Sequence, residues 1–86
     1  MRKKPAAVED YIELGQFYLL NHHYEESIKQ FKLALKIKPD AQVYFQLGLA
    51  YETSCKIPEA KEMYRKAIEL DPNHKEANVH LSRLTG

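Results

Sequence analysis

Residues 41–72 read AQVYFQLGLAYETSCKIPEAKEMYRKAIELDP, and the landmarks of this stretch also occur 33 positions earlier in the chain, from Tyr11 (aligned with Tyr44) onward. The identical pairs at this interval are Tyr11/Tyr44, Leu14/Leu47, Gly15/Gly48, Tyr18/Tyr51, Glu26/Glu59, Ala34/Ala67 and Pro39/Pro72. Most of these residues are large apolar, small or proline, which are the types that packing and chain reversal constrain. Such an internal period predicts stacked copies of one supersecondary unit.

Each copy has the residue spacing of two helices. Tyr44, Leu47 and Tyr51 recur at three- and four-residue intervals, which is typical of one helix face, and a polar break separates them from a second such series. The prolines follow positions where helices should end, and we expect Asp40 and Asn73 to cap the helices that come next. One inserted residue near His74 allows a third, partial copy to begin. The sequence therefore predicts an all-α protein with helices at about residues 6–20, 24–37, 41–54, 58–70 and 75–84.

Composition limits the classes of function. With 86 residues the chain can form one small domain, and a chain of this size has a modest core. Its 13 basic and 12 acidic residues give a net charge of +1, so nucleic acid is a disfavoured partner. No apolar run is long enough for a membrane span or a signal peptide, and we expect a cytoplasmic protein. The single Cys55 and the scattered histidines predict no disulfide, metal site or cofactor.

The paired motifs resemble the tetratricopeptide repeat, a helix–turn–helix unit of about 34 residues. The first helix of the unit has an aromatic residue, Leu-Gly and Tyr, and the second has small and aromatic residues before a closing Pro. The second copy has these residues at Tyr44, Leu47, Gly48, Tyr51, Ala60, Tyr64, Ala67 and Pro72, and the first copy has their partners. The resemblance implies an α-solenoid, a right-handed superhelix whose first helices line a concave face. We expect one domain over residues 1–86, with repeat 1 at 8–40, repeat 2 at 41–74 and a capping helix at 75–84.

The resemblance also implies a protein–protein interaction module that holds a peptide or helical segment of a partner in the concave groove. The groove positions would be Ile12, Gln16, Leu19, Phe45, Gln46, Leu49, Val79 and Arg83. Several of them are apolar although the repeat signature does not require it, which favours an apolar or amphipathic ligand. The alternative interpretation is that some of these side chains pack against one another across neighbouring first helices.

The residues at the groove positions also bear on the class of partner. A subgroup of the family binds acidic chaperone tails through a carboxylate clamp of Lys, Asn and Arg, but this chain has Ile12, Gln16, Gln46, Glu76 and His80 at those positions, so chaperone tails are disfavoured. The apolar stripe and polar back of the last helix favour a stand-alone module. The first helix has no such polar cover, so an upstream repeat stays open. A structural role by self-association also stays open, with the chain as a monomer or a weak homodimer.

Two further patterns have ordinary explanations. Lys29, Lys32 and Lys36 fall on one helix face and could bind an acidic partner, but Glu25 lies four residues before Lys29, and such a pair is typical of a solvated helix. The carboxylates are dispersed over helix surfaces, and no glycine-rich phosphate loop is present. Cys55 follows a helix C-terminus, where the dipole opposes thiolate formation. We therefore predict that the protein is not an enzyme.

Overall fold

The computed structural model describes residues 7–86, which form five α-helices in chain order and no strand. The helices are α1 (Val8–Leu20), α2 (Tyr24–Ile37), α3 (Ala41–Thr53), α4 (Ile57–Leu70) and α5 (Lys75–Thr85). Every predicted boundary from residue 20 onward lies within one residue of the observed one, and the predicted start at residue 6 lies outside the described residues. The all-α prediction is confirmed, and the helix pairs form a helical repeat solenoid.

Two structurally equivalent turns join the helices within each pair. Each turn contains a residue in the left-handed region, His22 with φ 64° and Cys55 with φ 67°. The following amide donates back across the helix end, from His23 N to Tyr18 O and from Lys56 N to Tyr51 O, each at 2.8 Å. This closing hydrogen bond satisfies a carbonyl in the last turn of the first helix, and glycine is the usual residue at such a positive φ.

The caps between repeats agree with the prediction at one junction and differ at the other. Asp40 Oδ1 accepts a hydrogen bond from Val43 N at 3.1 Å and caps α3, as expected. The prediction that Asn73 caps α5 is wrong, because His74 is the N-cap and its Nδ1 accepts from Ala77 N at 3.1 Å. The physical reason is the inserted residue. The backbone N–H of Asn73 donates to Asp71 Oδ1 in a separate turn before the helix, and α5 begins one residue later than predicted from the cap.

The helices of each pair approach closely because small residues face aromatic rings. A Cβ added at Gly15 would lie 2.6 Å from ring carbons of Phe31, and one added at Gly48 would lie 2.5 Å from the ring of Tyr64. Both rings are fully buried. Ser27 Oγ strengthens the first contact by donating to the Gly15 carbonyl at 2.8 Å. Glycine is therefore required at both positions by space rather than by backbone conformation.

Helices that follow one another in the chain pack together, and α1 also contacts α3. The molecule is accordingly elongated, with principal extents of 53 × 25 × 17 Å. An ion pair between Glu52 of α3 and Arg83 of α5 joins these two helices. One side of the molecule is thus formed by α1, α3 and α5, and this surface is called the first-helix face below. Helices α2 and α4 form the opposite side.

Candidate partner-binding face

The eight predicted groove residues all lie on α1, α3 and α5, the helices of the first-helix face. Two polar side-chain contacts between helices involve members of this set. Gln16 Nε2 donates to Gln46 Oε1 at 3.3 Å and joins α1 to α3. The Arg83 guanidinium lies 2.9 Å from Glu52 Oε2 and joins α5 to α3. The face therefore carries amide groups at one end and a charged pair at the other.

The apolar members of the set are not equally exposed. Val79 is 63% exposed, whereas Ile12, Leu19 and Leu49 are half-buried and pack with one edge against the core. Phe45 requires a correction, because only 5% of it is exposed and it belongs to the core. The alternative interpretation, packing between helices, therefore applies to Phe45.

Aromatic neighbours on later helices explain the burial of Phe45. Its ring centroid lies 5.0 Å from His74, 5.5 Å from His80 and 5.8 Å from Tyr64. These separations are typical of favourable ring packing. Phe45 therefore supports the first-helix face from beneath and does not present its ring to a partner.

A polar network between α3, α4 and α5 adds residues that the predicted set did not include. Tyr64 donates its hydroxyl hydrogen to Glu52 Oε1 at 2.7 Å, and Arg83 contacts the other carboxylate oxygen. Burial alone would raise the pKa of Glu52, but the hydrogen bonds from Tyr64, Arg83 and His80 together lower it below its usual value. Burial and the hydrogen bond to this carboxylate both raise the pKa of Tyr64. Glu52 is therefore held as an anion at the α3–α5 end of the face.

His80 lies between the two charged groups of this network. Its Nδ1 is 3.2 Å from Glu52 Oε1 and 2.8 Å from Arg83 Nη2. An Nδ1 that carries a hydrogen donates to the carboxylate, and an Nδ1 without one accepts from the guanidinium, so the two hydrogen bonds belong to different tautomers of the ring. One signal in the sequence could have indicated the network, namely a glutamate and an arginine at groove positions of successive first helices.

Other candidate sites do not assemble. Between residues 7 and 86, no group of three or more His, Cys, Asp or Glu side chains is arranged to hold a metal ion. Cys55 is exposed in its turn. None of the helices in this part of the chain has the length and apolar character needed to cross a membrane.

Comparison with known families identifies the repeat unit. One family model described as tetratricopeptide repeat matches residues 41–74, and a second model with the same description matches residues 11–40. The chain belongs to the tetratricopeptide repeat family. The resemblance seen in the sequence is thereby confirmed. Tetratricopeptide repeats generally mediate protein–protein interactions and are typically non-enzymatic, so the exposed part of the first-helix face is a candidate for partner binding.

Segments of several curated proteins are similar to this chain. A stretch of 46 residues, 54% of the chain, is 50% identical to the probable biofilm formation methyltransferase WspC of Pseudomonas putida and 44% identical to that of Pseudomonas aeruginosa. A stretch of 69 residues, 79% of the chain, is 35% identical to the peroxisomal targeting signal receptor of Candida albicans. The chain spans 11% of each methyltransferase and 12% of the receptor. Each similarity therefore concerns a short segment of a much longer protein.

Proposed function

We propose that the protein is a binding module that holds an apolar or amphipathic segment of a partner on its first-helix face. The observation that carries the proposal is a row of partly exposed apolar side chains on α1, α3 and α5, which the repeat signature does not require. These side chains are Ile12, Leu19, Leu49 and Val79. Apolar patches of this kind on a small protein often mark interaction sites. The peroxisomal targeting signal receptor among the similar proteins agrees with a binding role.

Polar groups around the row would orient the bound segment. The linked amides of Gln16 and Gln46 can exchange hydrogen bonds with a peptide backbone, and Arg83, with 54% of its side chain exposed, can accept an acidic neighbour. Burying ~300–400 Å² of apolar surface would contribute roughly 8–10 kcal/mol before costs. Ordering and association costs reduce this to an affinity in about the micromolar range. Phe45 contributes indirectly, by fixing the helices beneath the row.

The proposal disfavours one class of partner. An acidic chaperone tail fits poorly, because Glu76 is exposed at a position where the carboxylate clamp needs a cation. The role is that of an adaptor without a catalytic step. The cytoplasmic location expected from the sequence stays a prediction.

The test is capture of a partner from native lysate by wild-type protein and by single variants, with circular dichroism to verify folding. Val79→Glu and Leu49→Glu place a charge within the row and should abolish capture. Leu70→Glu is the matched control, because Leu70 is an exposed apolar residue of α4, outside the first-helix face. A partner retained by wild type and Leu70→Glu and lost from the other two supports the proposal. A partner that all four proteins retain equally contradicts it.

A structural role by self-association is the second candidate, and the exposure of α1 favours it. Leu14, Phe17 and Leu20 are 43%, 57% and 79% exposed, whereas Leu47, the repeat equivalent of Leu14, is 1% exposed because α2 covers α3. A second copy could cover α1 in the same way. Sedimentation over a concentration series should then show a dimer that Phe17→Asp dissociates. A monomer at all concentrations contradicts this candidate.

A further inference from the structure

A groove of about 550 Å³ lies between α2 and α4, and Tyr44 and Leu47 of α3 complete its lining. Its apolar lining consists of Leu33, Leu35, Tyr44, Leu47 and Met63. Its charged lining consists of four lysines, Lys29, Lys32 and Lys36 from α2 and Lys66 from α4. The volume is within the usual range for ligand sites, about 300–1,000 Å³. This surface, called the lysine groove below, takes no part in the proposed function.

Most of the positive charge in the lysine groove is not neutralised by acidic residues in the described part of the chain. Glu25, which the sequence places one helical turn before Lys29, pairs instead with Lys56 at 3.6 Å. Among residues 7–86, only one of the four groove lysines makes an ion pair, Lys66 with Glu62 at 3.9 Å. The three lysines of α2 are exposed, and the sequence spaces them three and four residues apart along one side of the helix. With a net charge of only +1 for the whole chain, this is a local concentration of positive charge.

We propose that the lysine groove is a second docking site, which binds an acidic amphipathic helix of a partner protein. The apolar side of that helix would lie on the lining formed by residues such as Leu33 and Met63, and its carboxylates would meet lysines from both sides. A helix fits because two neighbouring helices flank an apolar groove. Charge complementarity selects an acidic segment over a basic one and accelerates its association.

The lining favours a protein segment over nucleic acid. Single-stranded nucleic acid is usually held by aromatic side chains on which successive bases stack, and the only aromatic residue among those that line the groove is Tyr44. A duplex presents phosphates and leaves an apolar floor unused. A merely solvated lysine face would need no such floor, although lysine stems can cover apolar surface in the absence of a ligand.

The test measures the binding of a labelled model peptide to the full chain by fluorescence anisotropy. The peptide has about 14 residues, with Leu at positions i, i+3, i+4 and i+7 and Glu or Asp elsewhere, and its control has Lys in place of every acidic residue. We expect the acidic peptide to bind, the basic peptide not to bind, and the affinity to fall as salt is raised. Amide chemical shifts should change mainly around Lys32 and Met63.

Matched variants localise the site. The double variant Lys32→Glu/Lys36→Glu should weaken binding of the acidic peptide by at least ~10-fold, since attraction becomes repulsion at two exposed positions. Lys75→Glu makes the same kind of charge change on α5, outside the groove, and should leave the affinity within about twofold. Met63→Ala tests the apolar lining and should weaken binding several-fold without a change in charge.

Several outcomes would overturn the proposal. Equal binding of the acidic and basic peptides, or no effect of the double variant, would reduce the groove to a solvated surface. Tighter binding of a DNA duplex than of the peptide would make it a nucleic-acid site, and a dimer that the double variant dissociates would make the occupant a second copy of the chain. The double variant and the chemical shifts around Lys32 and Met63 report on the lysine groove alone, so failure of this test leaves the proposed function of the first-helix face untouched.

Discussion

Helices α1 and α3 carry the same landmark residues in the same order, yet they differ strongly in burial. Six residues of α3 are buried, whereas α1 buries only Gly15. The clearest pair is Leu14, 43% exposed, and its repeat equivalent Leu47, 1% exposed. The difference arises because α3 packs against both α2 and α4, whereas α1, within residues 7–86, packs mainly against α2. A repeat motif therefore specifies which residues can be buried, and the adjacent repeat determines which of them are.

The same rule governs the candidate site. Ile12 and Phe45 are repeat equivalents, but three rings from later helices surround Phe45 and only Ile12 keeps a partly exposed side chain. This one groove position is thus available to a partner at Ile12 and is part of the core at Phe45. Single substitutions at paired positions can test this difference directly.

The largest effect is expected from Phe45→Glu compared with Ile12→Glu. At Phe45 the change removes a buried ring and places a carboxylate in a closely packed aromatic cluster, which costs several kcal/mol out of a total of about 5–15 kcal/mol. We expect the variant to be largely unfolded by circular dichroism at room temperature. Ile12→Glu should keep its helicity. A folded Phe45→Glu protein with the wild-type melting temperature would contradict the placement of this ring in the core.

The next effect compares Leu47→Ala with Leu14→Ala in urea denaturation. Leu47 is fully enclosed, so truncation should lower the free energy of unfolding by about 2–5 kcal/mol. Leu14 is partly in water already, and its truncation should cost less than about 1 kcal/mol. If the two variants lose equal free energy of unfolding, and the loss at Leu14 grows with protein concentration, a second copy covers α1, as the second candidate function requires.

The helix boundaries could be predicted because they depend on local features. Pro39 and Pro72 mark helix ends, Asp40 has the chemistry of a cap, and the small residues identify the close contact between paired helices. The turns at His22 and Cys55 fall where the repeat pattern places them, although neither residue is glycine. These features act over a few residues and are visible in a single sequence.

The remaining features depend on how distant helices meet. The burial of Phe45 requires His80 of α5 and His74, the N-cap of that helix, to pack on it. The anionic state of Glu52 depends on Arg83 of the same helix. The shift of the α5 cap to His74 depends on how the inserted residue is accommodated in the turn, which the repeat period alone did not specify. Residue periodicity specifies which side of a helix is apolar, but it does not specify the relative position of α3 and α5.

An intermediate loss of stability is expected from substitutions of the N-caps at the two repeat junctions. His74→Ala leaves the buried amide of Ala77 without its acceptor and removes the hydrogen bond to Gln42, so we expect a loss of about 1–3 kcal/mol. Asp40→Ala removes a part-buried cap and should cost about 1 kcal/mol. His74→Asn should recover part of the loss, because its amide oxygen can cap the helix. Thermal unfolding ranks the three variants, and a greater loss from Asp40→Ala than from His74→Ala would contradict the assigned cap.

The smallest effect compares Glu52 with its repeat equivalent Leu19 and depends on pH. The folded-state pKa of Glu52 is lowered, so its ionised form stabilises the protein above the unfolded-state value near 4.5, and this stabilisation is lost as pH falls through the folded-state pKa. The difference in unfolding free energy between wild type and Glu52→Gln should therefore be largest near neutral pH and shrink in acid. Leu19→Gln is the matched control, and its effect should not vary with pH because it removes no titratable group. A difference between wild type and Glu52→Gln that stays constant from about pH 6 to about pH 3 would contradict the network's role, since a merely steric effect does not titrate.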